Sequence, residues 1–423
     1  MPSRPGRDSR SRRDKPEPKK PRPKAAAPRG KRPRRAAAHS PTATPRAASG
    51  APERSMPTKT VYEGRIEHLQ ILDENGRLDE RLAKGTLSDE DVVFLYEHMS
   101  LCRAYDEIAF KLQRSGRMGT YPQNIGQEAA AAGAGFALRK GIDWLVPCYR
   151  ENAALFLHGL PMEKILLHWM GDERGNQIPE GVNILPISIP IGTHPLHAVG
   201  IAWAAKLRGE DRVAVAFFGD GATSEGDVHE ALNFATVLRL PVVFFCQNNS
   251  WAISVPSSKQ FLNKTVAQRA LAYDAIGIQI DGNDIFASYK AMKDAMARAK
   301  EGVVTFIEAV TYRMGDHTTA DDARRYRDAA ELETWRQRDP LLRVRRYLTA
   351  KNKWDDAKQE AMEARHKARV GEIVKNAEGI EKPSTADIFD YTFASLPPEL
   401  ERQKDTMRTA GLAQHPEQER LTR

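Results

Sequence analysis

The chain has 423 residues, enough to bury a large core, and its formal charge of +8 sits at one end. Residues 1–50 hold sixteen Lys or Arg against three acids, so the remainder is net acidic. No apolar run reaches bilayer-spanning length, no signal-peptide core is present, and Cys102, Cys148 and Cys246 have neither disulfide nor zinc spacing. A soluble protein of a reducing compartment is expected, with the cysteines as small core residues rather than nucleophiles.

Residues 1–55 are rich in Arg, Pro and Ala and nearly lack large apolar side chains. Such a segment cannot bury enough surface to offset chain entropy, so a disordered tail is predicted. A solvated linker is its first reading. A docking arm for an acidic protein, a nucleic-acid arm and a transit peptide are the alternatives. No aromatics interleave the basic residues, so nucleic acid is not expected as a partner.

Residues 56–375 read as one α/β domain, and 376–423 as an extension packing on it or on a partner subunit. "LSDEDVVFLYEHMSLCRAYDEIAFKLQRSG" has helical periodicity, opened by a Ser88–Asp91 capping box and stopped at Gly116. "GQEAAAAGAGFALRKG" predicts a helix small-sided enough for close packing, and "DWLVPCYRE" a short strand ending at Tyr149 and Arg150. From Thr193 the pattern runs helix, strand ("RVAVAFFG"), helix ("GDVHEALNFATVLR"), strand ("PVVFFCQ"). Strand "IGIQI", a long helix from Asp284 and strand "VVTFIEAVTYR" follow, then charged amphipathic helices over 339–380. The strands are unbroken apolar runs. That pattern predicts a mostly parallel sheet covered by helices on both faces.

"GDGATSEGDVHEALNFATVLRLPVVFFCQNN" spans Gly219 to Asn249. Gly219, Gly221 and Gly226 do not fit the dinucleotide fingerprint. A lone GDG is an ordinary turn, and a lone NN an ordinary loop. Their conjunction across a strand–helix–strand unit is more specific. A right-handed crossover makes the two strands parallel neighbours, so Asp220 and Asn249 meet at their carboxyl ends, where α/β sheets bind ligands. A carboxylate and an amide carbonyl are hard donors for Mg²⁺ or Ca²⁺. The acid would thus hold a metal that in turn holds a diphosphate. Gly221 and Ala222 would let backbone N–H groups approach it.

These residues resemble the thiamin diphosphate motif. With "GRMGTYPQNIGQEA", "GNQIPEGVNILP", "QNNSWAIS", "IQIDGND" and "TYRMGDHTTADDARRYR", residues 60–405 resemble alpha subunits of the decarboxylating component of 2-oxo acid dehydrogenase complexes. The resemblance implies a thiamin diphosphate-binding fold and an oxidoreductase with a disulfide (lipoyl) acceptor. It implies Mg²⁺ held by Asp220, Asn249 and the Trp251 carbonyl, and diphosphate contacts from Tyr149, Arg150, Gly221 and Ala222. Ile189 and Ile191 match positions at the aminopyrimidine. His317 matches a loop histidine that touches the diphosphate and assists acyl transfer; on its residue type it is one that titrates near neutrality. Asp227 and Glu230 match acids proposed to carry protons between paired sites, with acids complementing a helix dipole as the alternative. Asp321, Asp322, Tyr326 and Arg327 match residues that order the His317 loop. Gln247 stands where branched-chain relatives carry an arginine, His194 replaces an amide of a cation site, and Thr318 replaces a phosphorylated serine of animal enzymes.

The resemblance further implies a beta subunit supplying the activating glutamate in an alpha-two beta-two tetramer, and a lipoyl-bearing acyltransferase as the next partner. Pyruvate is the expected substrate; branched-chain 2-oxo acid (3-methyl-2-oxobutanoate) and acetoin activities are the alternatives. A non-catalytic regulatory subunit is the reading from a different class. The intact Asp220, Asn249, Arg150 and His317 set argues against it. The expected location is a bacterial cytoplasm, or the mitochondrial matrix if the tail is a transit peptide.

Overall fold

The computed structural model describes residues 58–409. The expected tail, 1–55, lies outside them. Six parallel strands form the central sheet: β1 (Glu67–Leu69), β2 (Trp144–Val146), β3 (Ala214–Gly219), β4 (Val242–Asn248), β7 (Ile276–Asp281) and β8 (Thr305–Val310). Between them in sequence, β5 (Trp251–Ala252) and β6 (Val255–Pro256) make a separate antiparallel ribbon. The sheet order is β1-β7-β8-β4-β3-β2.

Alternate residues of the central strands enter two different cores. Val215, Phe217, Val243, Phe245 and Ile307 pack with the helices Asp89–Arg114, Glu128–Ala137 and Ile285–Lys300. Ala214, Ala216, Phe218, Val242, Phe244 and Phe306 pack on the other face with the helices His194–Arg208 and Gly226–Val237. Both faces are therefore dry, which is why these strands read as unbroken apolar runs.

Local signals explain the element ends. The Ser88 side chain accepts from the Asp91 amide while Asp91 accepts from the Ser88 amide, closing the capping box. Asp284 caps Ile285–Lys300 by accepting from the amides of Phe286 and Ala287. The expected close approach of the alanine-rich helix is present. A Cβ at Gly133 would lie 2.7 Å from the Ser288 Cβ and 2.8 Å from the Ile285 carbonyl oxygen. The three cysteines are free and buried, and burial raises each thiol above its ordinary pKa.

Two strands are shorter than expected: β8 stops at Val310, short of Arg313. β2 stops at Val146, so Tyr149 and Arg150 do not end a strand but sit in the turn beyond it. Pro147 has no N–H to extend the ladder. The helix Asp356–Glu378 runs through position 376, where the C-terminal extension was expected to begin. Among the described residues no helix is long and apolar enough to cross a membrane.

Candidate active site

β3 and β4 are hydrogen-bonded neighbours in register, with Phe218 opposite Cys246 and Gly219 opposite Gln247. Asp220 follows Gly219 directly and Asn249 follows Asn248, the last residue of β4, so both emerge at the carboxyl edge of the sheet. Asp220 opens a short 3₁₀ turn, Asp220–Ser224, ahead of the helix Gly226–Val237. Its Oδ2 accepts from Ser257 Oγ at 2.8 Å and Gln260 Nε2 at 3.3 Å. Burial pushes its carboxyl above the usual range. A divalent cation beside it would reverse that shift.

The doubled asparagine has two jobs. Asn248 Nδ2 donates to Glu308 at 2.7 Å and its Oδ1 accepts from the Ser250 amide at 3.1 Å, holding Ser250 at φ +70°. Asn249 Nδ2 donates to Gln127 Oε1 at 3.1 Å and its Oδ1 accepts from the Trp251 amide at 3.2 Å. The first asparagine builds the turn. The second has its amide nitrogen engaged, which fixes which atom, Oδ1, lies on the turn side. The ladder bond from the Ser257 amide to the Ser250 carbonyl makes Trp251 and Pro256 a non-hydrogen-bonded pair. The Trp251 carbonyl is therefore outside the ribbon's ladder.

A small cleft opens here, at the carboxyl edge of the sheet. Its lining includes Tyr149, Arg150, Ile191, Asp220, Gly221, Ala222, Asn249, Trp251 and His317, nine residues expected from the sequence. Ile189, Asp227 and Glu230 are not in that lining. Ile189 is half-exposed, Glu230 is exposed, and Asp227 lies in the first turn of Gly226–Val237. Gly221 is required by space: a Cβ there would meet the Ala252 Cβ at 2.9 Å.

Two buried cations face the cleft. Arg150 and Arg313 both line it, and neither meets a carboxylate at ion-pair distance among the described residues. The equally buried Arg343, by contrast, pairs with Asp281 at 2.7 Å. An uncompensated buried guanidinium is costly, so the pair fits an anionic ligand. Polar atoms without partners lie alongside: Gln127 Nε2, Gln247 Oε1 and Arg313 Nε.

His317 Nδ1 lies 3.3 Å from Arg150 Nη2 and 3.2 Å from Arg313 Nη1. Guanidinium groups only donate, so Nδ1 accepts and the proton sits on Nε2. Burial, and then the charges of Arg150 and Arg313, lower its pKa to about 3. The expectation of a histidine titrating near neutrality is corrected: His317 is a neutral Nε2–H donor. The expected loop order is present. Asp321 accepts from the His317 amide at 3.0 Å and from the Tyr326 hydroxyl, while Arg327 donates to the carbonyls of Arg313, Met314 and Gly315.

Gln127, Ser257, Gln260 and Arg313 were missed. Each joins the site through a contact distant in sequence, except that Arg313 follows β8 within the same charged segment as His317.

The sequence profile of the dehydrogenase E1 component matches residues 96–386. The chain is 40% identical over 343 residues to a pyruvate dehydrogenase E1 component subunit alpha of Staphylococcus aureus, covering 81% of this chain and 92% of that protein. It is 42% identical over 345 residues to a 3-methyl-2-oxobutanoate dehydrogenase subunit alpha of Mycobacterium tuberculosis, covering 81% and 94%.

Proposed function

Because the chain belongs to the dehydrogenase E1 component family, we propose that it is the alpha subunit of a 2-oxo acid dehydrogenase complex, acting on pyruvate. In this reading it performs oxidative decarboxylation and passes the acyl group to a lipoyl acceptor. The observation that carries the site assignment is one cleft holding Asp220, Asn249 and two buried guanidiniums without counter-ions.

Those residues fit thiamin diphosphate held through Mg²⁺. Asp220, Asn249 Oδ1 and the Trp251 carbonyl are hard oxygen donors, and Arg150 and Arg313 match a diphosphate in charge. The bound cofactor would supply the electron sink for loss of carbon dioxide. The chain's own groups do the rest. Gly221 and Ala222 bring backbone to the phosphates. Ile191 and Ile253 supply apolar surface at the cleft wall. The neutral His317 holds its Nε2 proton for a phosphate or a developing oxyanion.

A beta subunit completing the site, and carrying the activating glutamate, belongs to this reading. Its support is the surface. Trp203 and Leu207, with Phe234 and Val237 on the adjoining helix, leave large apolar area exposed on His194–Arg208 and Gly226–Val237. A second substrate reading, 3-methyl-2-oxobutanoate, is favoured by the similarity to the Mycobacterium tuberculosis protein. The test is turnover by the chain assembled with its beta subunit, given a lipoyl acceptor and either pyruvate or 3-methyl-2-oxobutanoate. Preference for pyruvate supports the first reading. Preference for the branched acid installs the second, and no turnover with either refutes both.

A further inference from the structure

Glu151 is fully buried, yet it lies on the wall of a cleft whose two guanidiniums suit an anion. Its Oε1 accepts from the Cys148 amide at 2.6 Å, and its other carboxylate oxygen accepts from the Arg150 amide. Both oxygens are thus engaged by the backbone of the turn that carries Tyr149 and Arg150. Burial pushes the carboxyl up to about 7, with the two amides and the Arg150 charge pulling the other way.

Its place in the chain sets this use of the side chain apart. Glu151 is the N-cap of the helix Asn152–His158, and its side chain makes no capping bond to that helix. An N-cap side chain ordinarily accepts from amides ahead of it. This one turns back to amides that precede it. Those amides need a partner: β2 stops at Val146, so the sheet no longer supplies one. The guanidinium end of Arg150 is held separately, by the carbonyls of Gln123 and His317. Glu151 fixes its main-chain end.

Resting on the functional reading above, we infer that Glu151 is a positioning residue for binding of the cofactor's diphosphate. Its carboxylate clamps the turn from Cys148 to Arg150 and so aims Arg150 into the cleft. It acts through Arg150 rather than on the diphosphate itself.

The residue type follows from the bonding. Two backbone N–H groups call for two acceptors, and a carboxylate supplies both. Glutamine has the same shape but one acceptor oxygen. Its NH₂ would face an amide N–H and leave that donor buried and unpaired. Charge alone gives the reverse effect. A carboxylate beside an anion repels it, so neutralising Glu151 would tighten diphosphate binding if the acid acted only through its field. The two roles differ in the sign of one measurement.

The test uses the chain assembled with its beta subunit, at about pH 8.5, where a carboxyl titrating near 7 is ionised. Calorimetric titration of thiamin diphosphate in saturating Mg²⁺ compares wild type, Glu151→Gln, Arg150→Met and the double variant. Glu151→Gln is expected to weaken binding about tenfold or more. In the Arg150→Met background the same substitution should cost less than about threefold, because the residue it aims is gone. Equal losses in both backgrounds assign Glu151 a structural role only and overturn the inference. So does wild-type or tighter binding by Glu151→Gln. If Arg150→Met binds too weakly to titrate, turnover of Glu151→Gln at saturating cofactor decides. A fall in turnover equal to the fall in affinity overturns the inference, and a fall in affinity alone supports it. If Glu151→Gln does not assemble, Glu151→Asp, which keeps the charge but is one methylene short, takes its place under the same criteria. Wild type that binds no thiamin diphosphate in Mg²⁺ fells the functional reading and this inference with it. Wild type that binds, with either contrary result in the variants, fells this inference alone.

Discussion

Asp220 and Asn249 were legible as chemistry before the fold was known, because strand, GDG, helix, strand and NN leave one parallel crossover in which they meet. Arg313 was not legible. Nothing in "TYRMGDHTT" tells a buried cation from a surface one until β8 is seen to end beside β4. The same holds for Gln127, whose side chain orients Asn249 from a distant helix start. His317 was legible as a site residue but not in its protonation, which burial and then two arginines decide. That shift has a consequence for stability. The folded pKa of about 3 lies below the unfolded value of roughly 6.5, so the native state favours neutral histidine. Its contribution to stability is present above pH 6.5 and is lost as pH falls toward 3. Unfolding followed from pH 7 to 4 should therefore show a smaller acid loss in His317→Asn than in wild type. Equal losses would show that His317 titrates normally.

Elements were legible where periodicity and caps agreed, as in Asp89–Arg114 and Ile285–Lys300. β2 was misjudged because apolar residues around Pro147 read as strand although proline cannot extend a ladder. Two helical glycines separate packing from propensity. At Gly133 a methyl meets Ser288 and backbone of Ile285–Lys300. Overpacking costs about 1–3 kcal/mol, against about 1 kcal/mol gained from alanine's helix propensity. Gly133→Ala should lower the denaturation midpoint. Gly371, within Asp356–Glu378, has nothing within 4 Å of a built Cβ. Gly371→Ala should stabilise the chain by about 0.5–1 kcal/mol, seen as a raised midpoint in the same experiment. A raised midpoint in Gly133→Ala, or a lowered one in Gly371→Ala, would contradict this packing.

At the scale of the molecule, the two-sided sheet was legible in its unbroken strands, but the surface was not. Phe234 and Val237 are large apolar residues on a helix that packs against the sheet, yet both are exposed. An assembly that covers them accounts for this. Phe234→Asp should lower the mass of the complex formed with the beta subunit while leaving the helical signal of the chain intact. The chain alone should not decarboxylate a 2-oxo acid, and turnover by the single chain would remove the need for a partner glutamate.

The proposed site depends most on Asp220 and Asn249 holding a metal that holds a diphosphate. Calorimetric titration of thiamin diphosphate, with and without Mg²⁺, into the assembled wild-type, Asp220→Ala and Asn249→Ala proteins tests it directly. Wild type should bind only when Mg²⁺ is present. Each variant should lose at least about a hundredfold in affinity, roughly 2.7 kcal/mol, with its circular dichroism unchanged. Wild-type affinity in both variants, or binding indifferent to Mg²⁺, would contradict it.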